Sequence, residues 1–297
     1  METKILKHIV HCVIALSLLV LSVVGCTGTA NKPDTSKPPQ IPPESSFVMD
    51  FSDFTSSTGA SHSGDTAQLA SFIIPGAIPR SDTNNALGDR SNFGYATVNV
   101  GFWNIVVFVG LAVPVASFIE SFNHTPVQQE DSSWVWTYDV PVAGDVYTAE
   151  LHGKYIKNGV RWEMYISKQG EYSDFLWYYG ESDLSVTEGY WILKNNPSDP
   201  TDLIRIDWHR NLVNKTGDIK YTNIVPGGPE NGGFISYETT VSKSYDCSYE
   251  IFNKGKNEKT YIEWNSLTLE GRVKNALHFG DDDWRCWNSQ LVNTTCP

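Results

Sequence analysis

From Trp134 to the end of the chain, apolar side chains recur at every second position. Trp136, Tyr138 and Val140 alternate with Thr137 and Asp139; Tyr147, Ala149 and Leu151 with Thr148, Glu150 and His152; Trp162, Met164 and Ile166 with Arg161, Glu163 and Tyr165. The period returns at Ile204, Ile206 and Trp208, at Ile235, Tyr237 and Thr239, and at Tyr245, Cys247, Tyr249 and Ile251. It ends with Ile262 and Trp264, then Leu267 and Leu269. Side chains of a strand point alternately to its two faces, so each run predicts a strand with one buried and one wet face. Turn residues separate the runs. Asn158-Gly159 predicts a type I′ hairpin, and Asn195-Asn196-Pro197, Thr216-Gly217-Asp218, Pro226-Gly227-Gly228-Pro229 and Lys254-Gly255-Lys256 mark further reversals. Short loops make consecutive strands antiparallel neighbours, so the pattern predicts a meander of about nine or ten strands with no helix after residue 126.

Ahead of the meander lies an apolar stretch, Val98 to Phe122, and no charge occurs between Arg90 and Glu120. It is long enough to cross a membrane. However, Asn99, Gly101, Asn104 and Gly110 interrupt it and Pro114 falls within it. The stretch therefore predicts one kinked helix, or two short ones, buried against the sheet. Its end should lie near Asn123-His124-Thr125-Pro126, since a residue before proline is disfavoured in a helix. Residues 48–92 show no long period and read as covering strands or loops, with a helical turn at Ala67–Ile73. A long meander must close or bury a face. The expected fold class is mainly β with a helical element (α+β): an antiparallel meander over 127–297, curled into an open or half barrel. It packs on the apolar helix near 98–122, in the same globular domain as residues 48–126. By topology alone, this architecture is similar to the half-barrel folds of lipoprotein carriers such as the Lol proteins. That similarity implies space for a hydrophobic ligand between sheet and helix, and carries over no site residue.

The chain begins differently. Lys4 and Lys7 precede an apolar run from Ile9 to Val24. This is the layout of a secretory signal: a basic head, an apolar centre too short for an ordinary spanning helix, and a small residue at the cut. Its ending, Leu21-Ser22-Val23-Val24-Gly25-Cys26, resembles the bacterial lipobox. The resemblance covers residues 1–26 only. It implies cleavage before Cys26, a diacylglycerol on the Cys26 thiol, and attachment to a membrane through that lipid. Thr27 stands where the family's inner-membrane retention signal has aspartate, which implies the outer membrane of a two-membrane host. Free secretion is the alternative. Residues 27–47 then hold prolines at 33, 38, 39, 42 and 43 and few apolar side chains. Such a stretch favours extended polyproline geometry and predicts a tether reaching up to roughly 60 Å.

Composition narrows the partners. The 297 residues carry a net charge of −12, which disfavours nucleic acid or an anionic lipid surface. Of the five cysteines, Cys12 leaves with the signal and Cys26 is the anchor. Cys247, Cys286 and Cys296 remain in a compartment that permits disulfides. Cys286 and Cys296 are the candidate pair, closing a short loop for roughly 2–3 kcal/mol. Cys247 reads as a small buried hydrophobe, although a bridge from it to either C-terminal cysteine stays open.

The familiar catalytic signatures HExxH, P-loop, GxGxxG and CxxC do not occur, and Gly59-Ala60-Ser61-His62-Ser63-Gly64 lacks the spacing of a hydrolase elbow. Asp281 and Asp283, within Gly280-Asp281-Asp282-Asp283-Trp284, are weak calcium candidates; a solvated acidic turn is the plainer reading. His152 and His209, with Glu150, Glu163 and Asp207, fall on polar strand faces. They would form an acid–base or metal pair only if their strands were neighbours. The chain has 10 Trp, 14 Tyr and 13 Phe, and rings in Trp177-Tyr178-Tyr179 or Tyr190-Trp191 could stack on sugars, though core packing is the plainer role. These features lead to one expectation: a lipid-anchored extracytoplasmic protein in a non-catalytic binding or envelope-structural role, without cofactor. Its partner would be a glycan, a lipid or an envelope protein. A hydrophobic-ligand carrier is the first alternative. The second is a surface glycan-acting enzyme, which would need two carboxylates roughly 5–10 Å apart.

Overall fold

The alternation that begins at Trp134 builds one antiparallel sheet. In the computed structural model, which describes residues 34–55 and 88–297, fourteen strands lie side by side in chain order without closing into a barrel. They are β1 (Val127–Gln128), β2 (Trp134–Val142), β3 (Asp145–Ile156), β4 (Gly159–Lys168), β5 (Tyr172–Asp183), β6 (Glu188–Asn196) and β7 (Asp199–Asn211). The second half comprises β8 (Thr216–Asn223), β9 (Phe234–Thr239), β10 (Cys247–Asn253), β11 (Glu258–Trp264), β12 (Gly271–Lys274), β13 (Arg285–Trp287) and β14 (Asn293–Thr294). The predicted mainly β meander therefore forms. Both edge strands are only two residues long, which leaves little free edge for another chain to pair with.

The strand count exceeds the expected nine or ten for physical reasons. β12, β13 and β14 are too short to show a period. In β5 the register shifts at Trp177, so Trp177 and Tyr178 are both buried and the alternation breaks. The expected absence of helix after residue 126 is also corrected, by the one-turn helix Ala276–Phe279, capped by the Asn275 side chain. Leu267 and Leu269, expected in a strand, belong to the β11–β12 turn, where Leu267 is 91% exposed and Leu269 has φ 60°.

Two turns differ from their sequence reading. The β3–β4 hairpin forms around Lys157 and Asn158, but no residue there has positive φ, so the turn is not type I′. Gly159 instead supplies room: a β-carbon there would strike the carbonyl oxygen of Ser182 on β5. Thr216-Gly217-Asp218 already lies in β8, and the reversal falls at residues 212–215, with Lys215 in the left-handed region.

Among the described residues, four α-helices accompany the sheet: α1 (Ser52–Thr55), α2 (Ser91–Gly110), α3 (Ala112–Glu120) and α4 (Ala276–Phe279). The expected kinked pair is α2 and α3, separated by Leu111. The break places Pro114 in the first turn of α3, where a missing N–H costs little. A 3₁₀ turn over Ser121–Asn123 follows, and His124 is already extended, two residues before Pro126. α2 starts seven residues earlier than expected, and just ahead of it the Asp89 carboxylate accepts the Ser91 N–H at 2.9 Å, a local contact that hydrophobic patterning does not reveal. Ala96, Val100, Leu111, Val115 and Phe118 from this pair are buried in the core. Among the described residues, no helix is long and apolar enough to cross a membrane.

The stretch read as a tether over 27–47 needs correction at its C-terminal end. Residues 35–297 belong to one compact unit. Pro39 and Pro42 are buried, and Pro39 packs over Gly153 of β3. Phe47 stacks on Phe118 at 4.7 Å between ring centroids. Prolines lose little entropy on ordering, so a proline-rich strip with a following Phe47-Val48-Met49 island can cover a sheet as readily as it can extend. The segment is stitched to strand after strand. Tyr221 on β8 donates its hydroxyl to the Phe47 carbonyl at 2.8 Å and accepts the Met49 N–H at 2.7 Å. The Tyr249 hydroxyl on β10 donates to the Asp50 carbonyl, and Trp264 Nε1 on β11 donates to Asp53 at 2.8 Å. Phe47, Met49, Phe51 and Phe54 join the inward residues of the sheet in one continuous core.

Candidate functional site

The buried face of the sheet is thus occupied by the chain's own residues, and the open chemistry lies on the other face. Cross-strand pairing aligns polar side chains there into rows. One row runs Glu188, His209, Asp218, Glu238, Ser248, Glu263 and Arg272, from β6 to β12. Neighbouring strands are about 4.8 Å apart, so Glu238 and Glu263, one strand between them, have backbones about 9.6 Å apart.

This row ends in a groove of about 560 Å³ whose walls include Glu238, Ser248, Glu263, Arg272 and Tyr245. Arg272 is its centre. Its Nε and Nη2 donate to Glu263 Oε2 at 2.8 and 2.6 Å. Its guanidinium lies between two rings, 4.2 Å from the Trp284 centroid and 4.8 Å from that of Tyr245. A guanidinium held by a carboxylate and two rings is a fixed wall rather than a mobile arm. Ser242, Ser244 and Thr240 add hydroxyls, and Pro297 closes one side. Asp246 also lines the groove, but its carboxylate is committed to the backbone N–H and hydroxyl of Ser266 at 2.7 and 2.6 Å. Burial raises the pKa of Asp246, and those two hydrogen bonds outweigh it, so the group ends below its ordinary value.

Cys286 and Cys296 are disulfide-bonded. Cys286 pairs with Arg272 across β12–β13, so the bridge holds the C-terminal residues beside the groove that Pro297 lines. Cys247 is buried and free, 3.6 Å from the Tyr237 hydroxyl, and burial pushes its thiol up to about 11. It behaves as the small hydrophobe expected, and makes no alternative bridge.

The other sequence candidates do not converge. Cys26, the Gly59–Gly64 loop and the Ala67–Ile73 turn lie outside the described residues. The Asp281 carboxylate accepts the Asp283 N–H and then the Arg285 guanidinium, contacts that hold it below its ordinary value, while Asp282 pairs with Lys274 at 3.3 Å. Among the described residues no group of three or more His, Cys, Asp or Glu is arranged around a metal position. Asp281 and Asp283, the weak calcium candidates, thus lie in a turn braced by Arg285 and Lys274. His152 meets Glu150 at 3.4 Å and lies opposite Glu163, whereas His209 meets Asp218 at 3.0 Å. Three strands separate β3 from β7, so the two histidines belong to separate clusters. The Asp218 hydrogen bond raises the pKa of His209.

The aromatic candidates divide by face. Trp177, Tyr178 and Trp191 are buried. On the polar face Tyr179 is covered by Arg161 at 4.8 Å and Tyr190 by Arg205 at 4.4 Å, so cations already occupy those rings. Glu238, Glu263, Arg272 and Tyr245 were not singled out by sequence reasoning as a set. Alternation places Glu238 and Glu263 on polar faces, but it groups Tyr245 with the apolar Cys247 and Tyr249, and β12 is too short to place Arg272; their meeting depends on the register of β9 to β12. Comparison of the chain with protein-family models, with curated proteins and with solved structures finds no match.

Proposed function

We propose that this protein is a lipid-anchored, extracytoplasmic binding module, held to the envelope through Cys26, that captures a hydroxyl-rich ligand in the groove around Arg272. The observation that supports it best is the division of the two sheet faces. The buried face is filled by Phe47, Met49, Phe51, Phe54, α2 and α3, whereas the polar face carries an open groove. A carrier of a hydrophobic ligand needs a continuous apolar cavity, and the packing of Phe47 against Phe118, Tyr178 and Trp191 takes the place where one would lie.

The groove's chemistry suggests the ligand class. Glu238, Glu263 and Asp246 outnumber Arg272, so a phosphate or sulfate group meets net repulsion. The carboxylates accept from vicinal hydroxyls, and the serine hydroxyls both accept from and donate to them. A neutral or amine-bearing glycan fits this set. Glycoside hydrolysis is the less favoured reading, because Glu263, one of the two carboxylates flanking Ser248, is already the partner of Arg272.

The test is calorimetric titration of the purified protein with neutral and amino-sugar oligosaccharides, beside Glu238→Gln and Tyr245→Ala. Binding that weakens about tenfold or more in either variant, with unchanged circular dichroism, supports the groove; tenfold is about 1.4 kcal/mol, the scale of one charged hydrogen bond. Binding equal in all three, or no glycan bound by the wild type, overturns it. Intact mass of the wild type beside Cys26→Ser reads the anchor separately, as a diacylglyceryl increment present in the first and absent in the second.

A further inference from the structure

The folded body begins closer to Cys26 than a long tether would allow. The Gln128 side chain on β1 donates to the Thr35 carbonyl at 3.0 Å, so the chain enters the body at this sheet edge. Only eight residues lie between Cys26 and Thr35, a reach of about 30 Å at full extension. Beside the entry point Val127 is 65% exposed, and five and eight residues earlier in the chain Phe122 is 45% and Ile119 37% exposed. Glu120, between Ile119 and Phe122, pairs with His124 at 2.9 Å.

We infer that Ile119, Phe122 and Val127 form a membrane-docking edge that rests on the bilayer when Cys26 is lipidated. This rests on the anchor proposed above. A tether this short keeps the edge within reach of the surface, so its effective concentration there is high and a weak apolar contact suffices to orient the body. The contact would be interfacial, with ring and branched side chains entering the headgroup boundary. Docking by this edge does not use the groove face, whose acidic row would be repelled by an anionic surface.

The experiment uses the lipidated full chain reconstituted into vesicles of phosphatidylcholine and phosphatidylethanolamine containing a shallowly brominated phosphatidylcholine. A bimane probe is placed by Phe122→Cys, and by Leu267→Cys in the β11–β12 turn as control, with the unsubstituted chain as labelling blank. Bromine quenching of the Phe122 probe at least twofold above that of the Leu267 probe supports docking. Equal or absent quenching in a preparation whose mass shows the lipid overturns docking and leaves the anchor standing. A preparation without the lipid mass that stays off the vesicles overturns the anchor and the docking together. If the Phe122 probe is shielded without quenching and light scattering shows a dimer, the edge meets a second copy of this chain and the bilayer assignment is wrong.

Discussion

Gly180 lies directly beneath the indole of Trp191: the two are cross-strand partners, and a β-carbon on Gly180 would come within 2.7 Å of Trp191 Cε3 and strike the Tyr190 carbonyl. The arrangement recurs along the buried face. Gly153 faces Trp162, Gly189 faces Trp208, and Gly271 lies between Trp264 and Trp287. Each indole covers the neighbouring backbone where a side chain would otherwise stand, which lets large rings lie flat in a sheet already carrying helices and the 39–54 segment.

Gly180→Ala should therefore destabilise the fold by about 2–4 kcal/mol, since overpacking here meets backbone as well as a ring. Gly101→Ala is the contrast. Gly101 is in the interior of α2, and a β-carbon added there would meet nothing within 4 Å, so alanine should stabilise by about 0.5–1 kcal/mol. Chemical denaturation of both variants checks the pair, and a Gly180→Ala variant as stable as wild type would contradict the packing described.

Tyr221→Phe removes one hydroxyl that serves both the Phe47 carbonyl and the Met49 N–H. Two buried backbone groups lose their partner, at a cost of about 1–3 kcal/mol. Because the loss is local, amide exchange at residues 47–49 should accelerate more than exchange in β4 or β7. Uniform acceleration across the sheet would show that the segment does not open by itself.

Asp183 organises the β5–β6 turn. Its carboxylate accepts the N–H groups of Thr187 and Glu188 at 2.6 and 3.0 Å, the Ser185 N–H at 3.1 Å and the Thr187 hydroxyl at 2.9 Å. Burial raises its pKa, and these donors outweigh that effect and leave it below the ordinary value. A depressed folded pKa contributes stability that is present above the unfolded value, near about pH 4, and is lost as pH falls through the folded value. Asp183→Asn should cost about 1 kcal/mol at neutral pH after solvent screening, and the gap from wild type should close in acid. Thermal melts at pH 7 and pH 3 measure it; a gap that widens in acid would reverse the assignment.

Opening the Cys286–Cys296 bridge, ten residues apart, should lower stability by about 2–3 kcal/mol through the unfolded chain. It should also release Pro297 from the groove wall. A Cys286→Ser/Cys296→Ser double variant is expected to lose glycan affinity more than its melting temperature alone explains, as read by titration well below the melting point. Full retention of affinity would leave the bridge a purely structural role.

The alternation of Trp136, Tyr138 and Val140 with Thr137 and Asp139, repeated strand by strand, determined the antiparallel meander and its buried face by itself. Side-chain direction in a strand is local and needs no tertiary information. The Cys286–Cys296 loop and the break of the apolar stretch near Pro114 were legible for the same reason, being set by short spacing and by one proline. Tertiary structure decided the rest. The packing of Pro39 to Phe54 onto the sheet was hidden because a proline-rich strip has the same composition whether it spans solvent or lines a core. The meeting of Glu238, Glu263 and Arg272 was hidden because a one-residue slip in any of three hairpins would separate them, and register is set by turn length, bulges and packing across the whole sheet.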